Sequence, residues 1–264
     1  MIPKRILDIL TTTVSETPQL PATIIFNEGW MLRLMLDALA QVPALEHRLA
    51  FEPHATWYSE ALLPSAFRPR NRADALSESY THADAGIGHI NVAKSGDAYL
   101  RLAADATQFI ITEAKMFGGL SSGVKNAPFF DQAARNVACM AEVLRRADAS
   151  PEQFTSIGLY ILAPQVAIEA GVFAPFIERT HIEGTVAQRV RAYGGELDEW
   201  FSASFRPLIE RIDLECISWE ELLRVLGNDA PNAAELGSFY QNCVKYNQPR
   251  ETAPSRNALA AQPI

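Results

Sequence analysis

Phe109-Ile110-Ile111-Thr112-Glu113-Ala114-Lys115-Met116-Phe117 begins as an apolar, β-branched run and then places an acid and a base two positions apart. β-Branched residues suit the pleated, half-buried surface of a sheet, so the run predicts a buried β-strand. Residues i and i+2 of a strand project to one face. Glu113 and Lys115 are therefore expected side by side, with Thr112 and Ala114 turned away. Burying a carboxylate and an ammonium is costly unless they pair or bind something. A structural Glu113–Lys115 ion pair meets that condition, and so does a metal-binding carboxylate beside a phosphate-contacting lysine.

The 264 residues are enough to bury a substantial core. No internal repeat or change in composition marks a second domain. Residues 1–247 are therefore expected to form one α/β domain, with residues 248–264, rich in Pro, Ala and Ser, as a disordered tail. The net charge of −8 argues against wholesale coating of nucleic acid or an anionic membrane, although a local basic groove is compatible with it. Cys139, Cys216 and Cys243 lie far apart with no CxxC spacing, which excludes a sequence-local zinc site and points to a reducing compartment. The best apolar run, from Trp30 to Val42, is interrupted by Arg33 and Asp37, so no membrane span is expected. Asp8 interrupts what would be the apolar part of a signal peptide, and a cytoplasmic location is the expectation.

Working outward, residues 1–15 suggest a short amphipathic helix, closed before Pro18 and Pro21. Asn27 is a good N-cap for a helix running to about Gln41, with Glu28, Met31, Leu32, Met35 and Leu39 on its core-facing stripe. Residues 43–80 offer no clear element. They end in Phe67-Arg68-Pro69-Arg70-Asn71-Arg72, whose alternating arginines could track a phosphate backbone or belong to a solvated loop. The run from His82 to Val92 predicts a strand carrying Asp84. A turn at Ser95-Gly96-Asp97 and a return strand from Tyr99 to Ala103 follow, giving an antiparallel meander with the Glu113 strand. Pro128 predicts the first turn of a helix ending at Arg145-Arg146, with Gln132 and Asn136 as polar residues on its apolar face. Ile157 to Ala163 reads as a buried strand, followed by helices over 174–193 and 196–209 and a strand from Ile212 to Ile217. Ser218-x-x-Glu221 is a capping box for a helix closed by Gly227, and a last helix runs from Pro231 to about Tyr246.

Glu28, Asp84, Glu113-x-Lys115 and Gln132, in this order and on these element types, resemble the PD-(D/E)XK nuclease superfamily. The similarity spans about residues 24 to 165 plus the later strand–helix pair. It implies a mixed central β-sheet flanked by helices, a restriction-endonuclease-like core with C-terminal helical additions. Asp84 stands at the family's metal-binding Asp, Glu113 and Lys115 at the (D/E)xK pair, Glu28 at the acid of the first helix and Gln132 at the Gln of the helical motif. The family's Pro before the Asp is Ala83 here, and Asp84 lies 29 residues before Glu113, with Asp97 and Asp105 as alternative positions for the Asp.

The resemblance implies hydrolysis of nucleic acid, DNA foremost, with Mg²⁺ or Mn²⁺. Asp84, Glu113, the carbonyl of Ala114 and Glu28 would be the metal ligands, and Lys115 would orient water or stabilise charge on the phosphate. Gln132, Arg135 and Asn136 would contact ligand or phosphate, as would Arg68, Arg70 and Arg72. His82 is either a further ligand or a structural histidine. A homodimer would suit cleavage of both strands of a duplex. Two alternatives stay open: a degenerate nuclease-fold binding module, and an α/β protein of other function with Glu113–Lys115 as a salt bridge.

Overall fold

The structure, a computed structural model, describes residues 2–42, 45–71, 74–78, 80–92, 99–227, 230 and 232–248. The chain opens with α1 (Ile2–Thr11), none of whose residues is buried. Next comes α2 (Glu28–Leu39), capped as expected by the Asn27 side chain accepting from the Trp30 N–H at 2.9 Å. Its stripe of Met31, Leu32, Met35, Leu36 and Leu39 is fully buried.

Strand β1 (Thr56–Leu63) falls in the segment where the sequence shows no element. It is an edge strand, exposed at alternate positions over its first half, so its apolar signal is diluted. The run expected as one strand over 82–92 is broken into β2 (Thr81–Gly88) and β3 (Ile90–Val92). Gly88 causes the break: its φ is +132°, and a Cβ there would lie 2.0 Å from the Gln108 carbonyl oxygen. β3 pairs with the return strand β4 (Leu100–Leu102) in a separate two-stranded ladder, so β2 lies directly beside the Glu113 strand, β5 (Gln108–Ala114). The turn expected around Asp97 lies outside the described residues.

The helix expected from Pro128 begins four residues later, as α3 (Gln132–Ala147). A short bridge between Val124 and Ala127 occupies the preceding loop, and Asp131 caps the helix by accepting from the Ala134 N–H at 3.0 Å. Arg145 and Arg146, expected to answer the helix dipole, both bond the Glu142 carboxylate at 2.8 Å. β6 (Ser156–Ala163), a short α4 (Gln165–Glu169), α5 (Arg179–Arg191), α6 (Asp198–Trp200), a π-turn over Phe201–Phe205 and α7 (Arg206–Arg211) follow. β7 (Asp213–Ser218) leads into α8 (Trp219–Leu226), where Ser218 caps the Glu221 N–H at 3.0 Å and Gly227 stops the helix at φ +57°. The last helix is α9 (Ala233–Asn247), starting after the expected Pro231. Residues 249–264 lie outside the described residues.

The protein is α/β, with one mixed sheet of order β1-β2-β5-β6-β7. β1, β2 and β5 run antiparallel, while β5, β6 and β7 run parallel. Odd-numbered residues of β5, such as Phe109 and Ile111, share a core with α3, α5 and α7. Ile110 and Ala114 share the opposite core with α2, α8 and α9. With both faces covered, all seven residues of β5 are buried, which explains its continuous apolar run. Among the described residues no helix is long and apolar enough to cross a membrane.

Gly88→Ala should cost at least about 2 kcal/mol of stability, because the methyl group meets backbone in a conformation that L residues avoid. Urea unfolding checks this, and a midpoint equal to that of the unaltered chain would refute the close approach of β2 to β5.

Candidate active site

The β2–β5 ladder ends at the pair Ala85–Thr112, and the next residues in register are Asp84 and Glu113. Here the strands splay, and the Asp84 side chain takes over from the ladder: its Oδ2 accepts from the Ala114 N–H at 2.7 Å. The N–H and C=O of one strand residue point to the same side. The Ala114 carbonyl is thus directed into the same gap.

Glu113 is 0% exposed and is held from three directions. Asn136 Nδ2 donates to Oε1 at 2.6 Å, Gln132 Nε2 donates to Oε2, and Lys115 Nζ lies 3.3 Å from Oε2. Lys115 Nζ is also 3.7 Å from Asp84 Oδ2. The two-residue period therefore holds: Glu113 and Lys115 share a face and pair, and the splayed ladder brings Asp84 to the same ammonium. The cluster meets solvent through Asp84 and Lys115, whose side chains are 30% and 15% exposed. Lys115 is anchored by its backbone, since its N–H donates to the Leu162 carbonyl at 2.8 Å and its carbonyl accepts from the Trp219 indole at 3.0 Å.

Gln132 opens α3 and also grips the preceding loop, its backbone N–H donating to the Ser121 carbonyl at 3.0 Å and its Oε1 accepting from the Ser121 N–H at 3.3 Å. Arg135 reaches Ser121 Oγ at 3.5 Å rather than Glu113. Asp131, beside Gln132, accepts from His181 at 2.8 Å, tying the start of α3 to α5. An Asp immediately before an apolar helix is a legible cap signal, but its histidine partner, 50 residues on, is not.

Burial first, and the neighbouring Asp84 carboxylate second, push the Glu113 carboxyl up to about 8, against the opposing pull of Lys115 and Asn136. Lys115 is the ammonium that both carboxylates share, so with both ionised one negative charge is left for a proton or a cation to balance. This is the observation against which a metal is tested. The donors gathered here are carboxylate and carbonyl oxygens, the hard ligands Mg²⁺ prefers. Among the described residues no group of three or more His, Cys, Asp or Glu side chains is assembled for a metal. A cation here would be held by Asp84, Glu113 and the Ala114 carbonyl, with water or substrate oxygens completing its shell.

Several expected site residues stand apart. Glu28 heads α2, on the core opposite Glu113, and is close enough to Cys243 of α9 to join burial in pushing that thiol up to about 12. The apolar stripe that Glu28 begins covers the Ala114 side of the sheet, which is why the helix carries it away from the pair. Asp105 is exposed ahead of the start of β5, at the far end from Glu113. His82 is exposed, its ring 3.4 Å from the Glu60 carbonyl. Arg68 lies over the Tyr99 ring at 5.1 Å, and the Arg70 guanidinium is bonded by Asp74 and Glu196 at 2.9 and 2.7 Å. Arg72 lies outside the described residues.

A carboxyl group whose folded-state proton affinity is raised from 4.5 to about 8 keeps its proton where the unfolded chain has lost it. Folding stability from Glu113 is therefore greatest at or below about pH 4.5 and declines as pH rises toward 8. Glu113→Gln removes this titration. The difference in urea midpoint between the variant and the unaltered chain should shift in the variant's favour from pH 5 to pH 8, and a constant difference would refute the raised affinity.

No family model matches this chain, and no curated protein or solved structure is significantly similar to it.

Proposed function

We propose that the protein is a divalent-metal-dependent nuclease of PD-(D/E)XK type that hydrolyses phosphodiester bonds, DNA foremost, in the cytoplasm. The observation that carries this proposal is the meeting of Asp84 and Glu113 beside Lys115 at the β2–β5 splay. A bound Mg²⁺ or Mn²⁺ would lower the pKa of a water and neutralise charge on the scissile phosphate. The chain's own groups prepare the ground. The Ala114 N–H fixes Asp84, and Asn136 and Gln132 hold the two oxygens of Glu113 in one orientation. The Lys115 ammonium, 3.3 Å from Glu113 and 3.7 Å from Asp84 and partly open to solvent, is placed to donate to a phosphate oxygen or to hold the attacking water. Glu28 has no part in this centre.

The test is cleavage of single-stranded DNA, duplex DNA and RNA with Mg²⁺, Mn²⁺ or chelator. Chelator-sensitive cutting is expected, falling about 10²- to 10³-fold in Glu113→Gln and in Lys115→Ala, as for loss of a metal ligand or of a preorganised charge-stabilising donor. Glu28→Gln should stay within about threefold of the unaltered chain, as expected for a group outside the chemistry. Cutting that survives both substitutions, or that ignores chelator, overturns the proposal. Mg²⁺ binding that depends on Glu113 without any cutting overturns the hydrolase and leaves a cation-dependent binding module.

A further inference from the structure

No residue of helix α1 is buried, and of its apolar side chains only Ile9 and Leu10 are even half-buried. Ile2, Ile6, Leu7, Ile9 and Leu10 occupy one arc at 100° per residue, yet Ile2, Ile6 and Leu7 are 74%, 53% and 61% exposed. At the same spacing Lys4 falls at the edge of this arc beside Leu7, and Arg5 at the other edge beside Ile9. A helix of ten residues is marginal in water, because so few hydrogen bonds barely repay its nucleation. Burial of the apolar arc is what would hold it.

A groove of matching character runs between α2 and α9. Its apolar lining is Leu34 and Ala38 from one wall and Leu236 and Phe239 from the other, around a space of about 280 Å³. Each wall also carries one acid, Asp37 on α2 and Glu235 on α9, and both are exposed. Asp37 has only the neutral Gln41 amide on its carboxylate, at 3.0 Å, and neither acid is in an ion pair among the described residues. One base at each edge of the helix's apolar arc thus matches, in number and sign, one acid on each wall of the groove. The helix does not reach its own groove in this fold. Two residues past its end Thr13 is buried, which anchors the chain where α1 leaves it, and no residue of α1 lines the groove.

We propose that the protein forms a homodimer in which α1 of each copy lies in the α2–α9 groove of the other. The apolar arc covers Leu34, Ala38, Leu236 and Phe239, while Lys4 and Arg5 meet Asp37 and Glu235. Such an exchange is reciprocal and closes on itself, leaving no free copy of either surface. It is independent of the nuclease proposal: α2 and α9 cover the sheet face opposite Glu113, so the candidate centre stays open in the dimer.

Sedimentation of the full chain from about 1 to 100 µM tests this, with a concentration-dependent dimer expected. Ile6→Asp alters an exposed side chain, so the fold should be kept by circular dichroism while the dimer is lost. Reversing Lys4 and Arg5 to Glu should weaken association at least about tenfold, as should reversing Asp37 and Glu235 to Lys. All four changes together should restore it to within about threefold. A mixture of Ile6→Asp and Leu34→Asp chains keeps one good helix and one good groove, and should form a heterodimer that neither variant forms alone. A chain that stays monomeric at the highest concentration, a dimer that persists in Ile6→Asp, or a charge reversal that fails to restore association would each overturn the proposal. Association of α1 with anionic vesicles in place of dimerisation would overturn it as well.

Discussion

Two carboxyl groups meet where β2 parts from β5, one of them without contact to water, and a single ammonium stands beside them. Together they carry one negative charge more than Lys115 can neutralise, in a place where desolvation makes that excess costly. Much of the local structure answers this imbalance. The strand ladder gives up a pairing so that the Ala114 N–H can bond Asp84, and the first two turns of α3 present amide donors, not hydrocarbon, to Glu113. The Trp219 indole, from the opposite layer, fixes the backbone at Lys115. Burial and the neighbouring Asp84 raise the proton affinity of Glu113, which relieves the imbalance, and a bound divalent cation would relieve it too. Destabilised, preorganised polar clusters of this kind are usual where function and stability compete.

The position of the cluster follows from the sheet. β5 is paired antiparallel to β2 on one side and parallel to β6 on the other, so it is the strand at which the sheet changes character. The C-terminal ends of parallel strands are where open α/β sheets gather loops, and the 116–131 loop, the Pro164–Gln165 corner and Ser218–Trp219 all lie at that end. The loop is not free to wander. Ser121 is bonded twice to Gln132, and Asp131 is bonded to His181, so Gln132, which holds Glu113, also holds the approach to it.

The two helical layers divide the molecule's surface. α3, α5 and α7 form the side on which Glu113 is gripped, while α2, α8 and α9 form the side that carries the acidic-rimmed groove. The apolar stripe of α2 illustrates how one helix can be correct in every local respect and still carry its first acid away from the site. Its amphipathic pattern specifies that one face is buried, not which face of the sheet buries it.

Nearest-neighbour rules were enough to read the buried β5 strand, the shared face of Glu113 and Lys115, the Asn27 and Ser218 caps, and the glycine that stops α8. All of these depend on residues within four positions of one another, where backbone periodicity and capping chemistry decide. The half-exposed edge strand β1, the break at Gly88, the departure of Glu28 to the other layer and the capture of Arg70 by Asp74 and Glu196 escaped those rules. Apart from the Arg70–Asp74 contact, each is set by which distant segment comes to lie alongside: the Gln108 carbonyl against Gly88, α9 against Glu28, Glu196 against Arg70. The sequence by itself determined that an acid and a base would stand together on a buried strand. Only the tertiary structure decided that Asp84 and two amides would join them, because strand register and helix placement are properties of the packed sheet and not of any one stretch of chain.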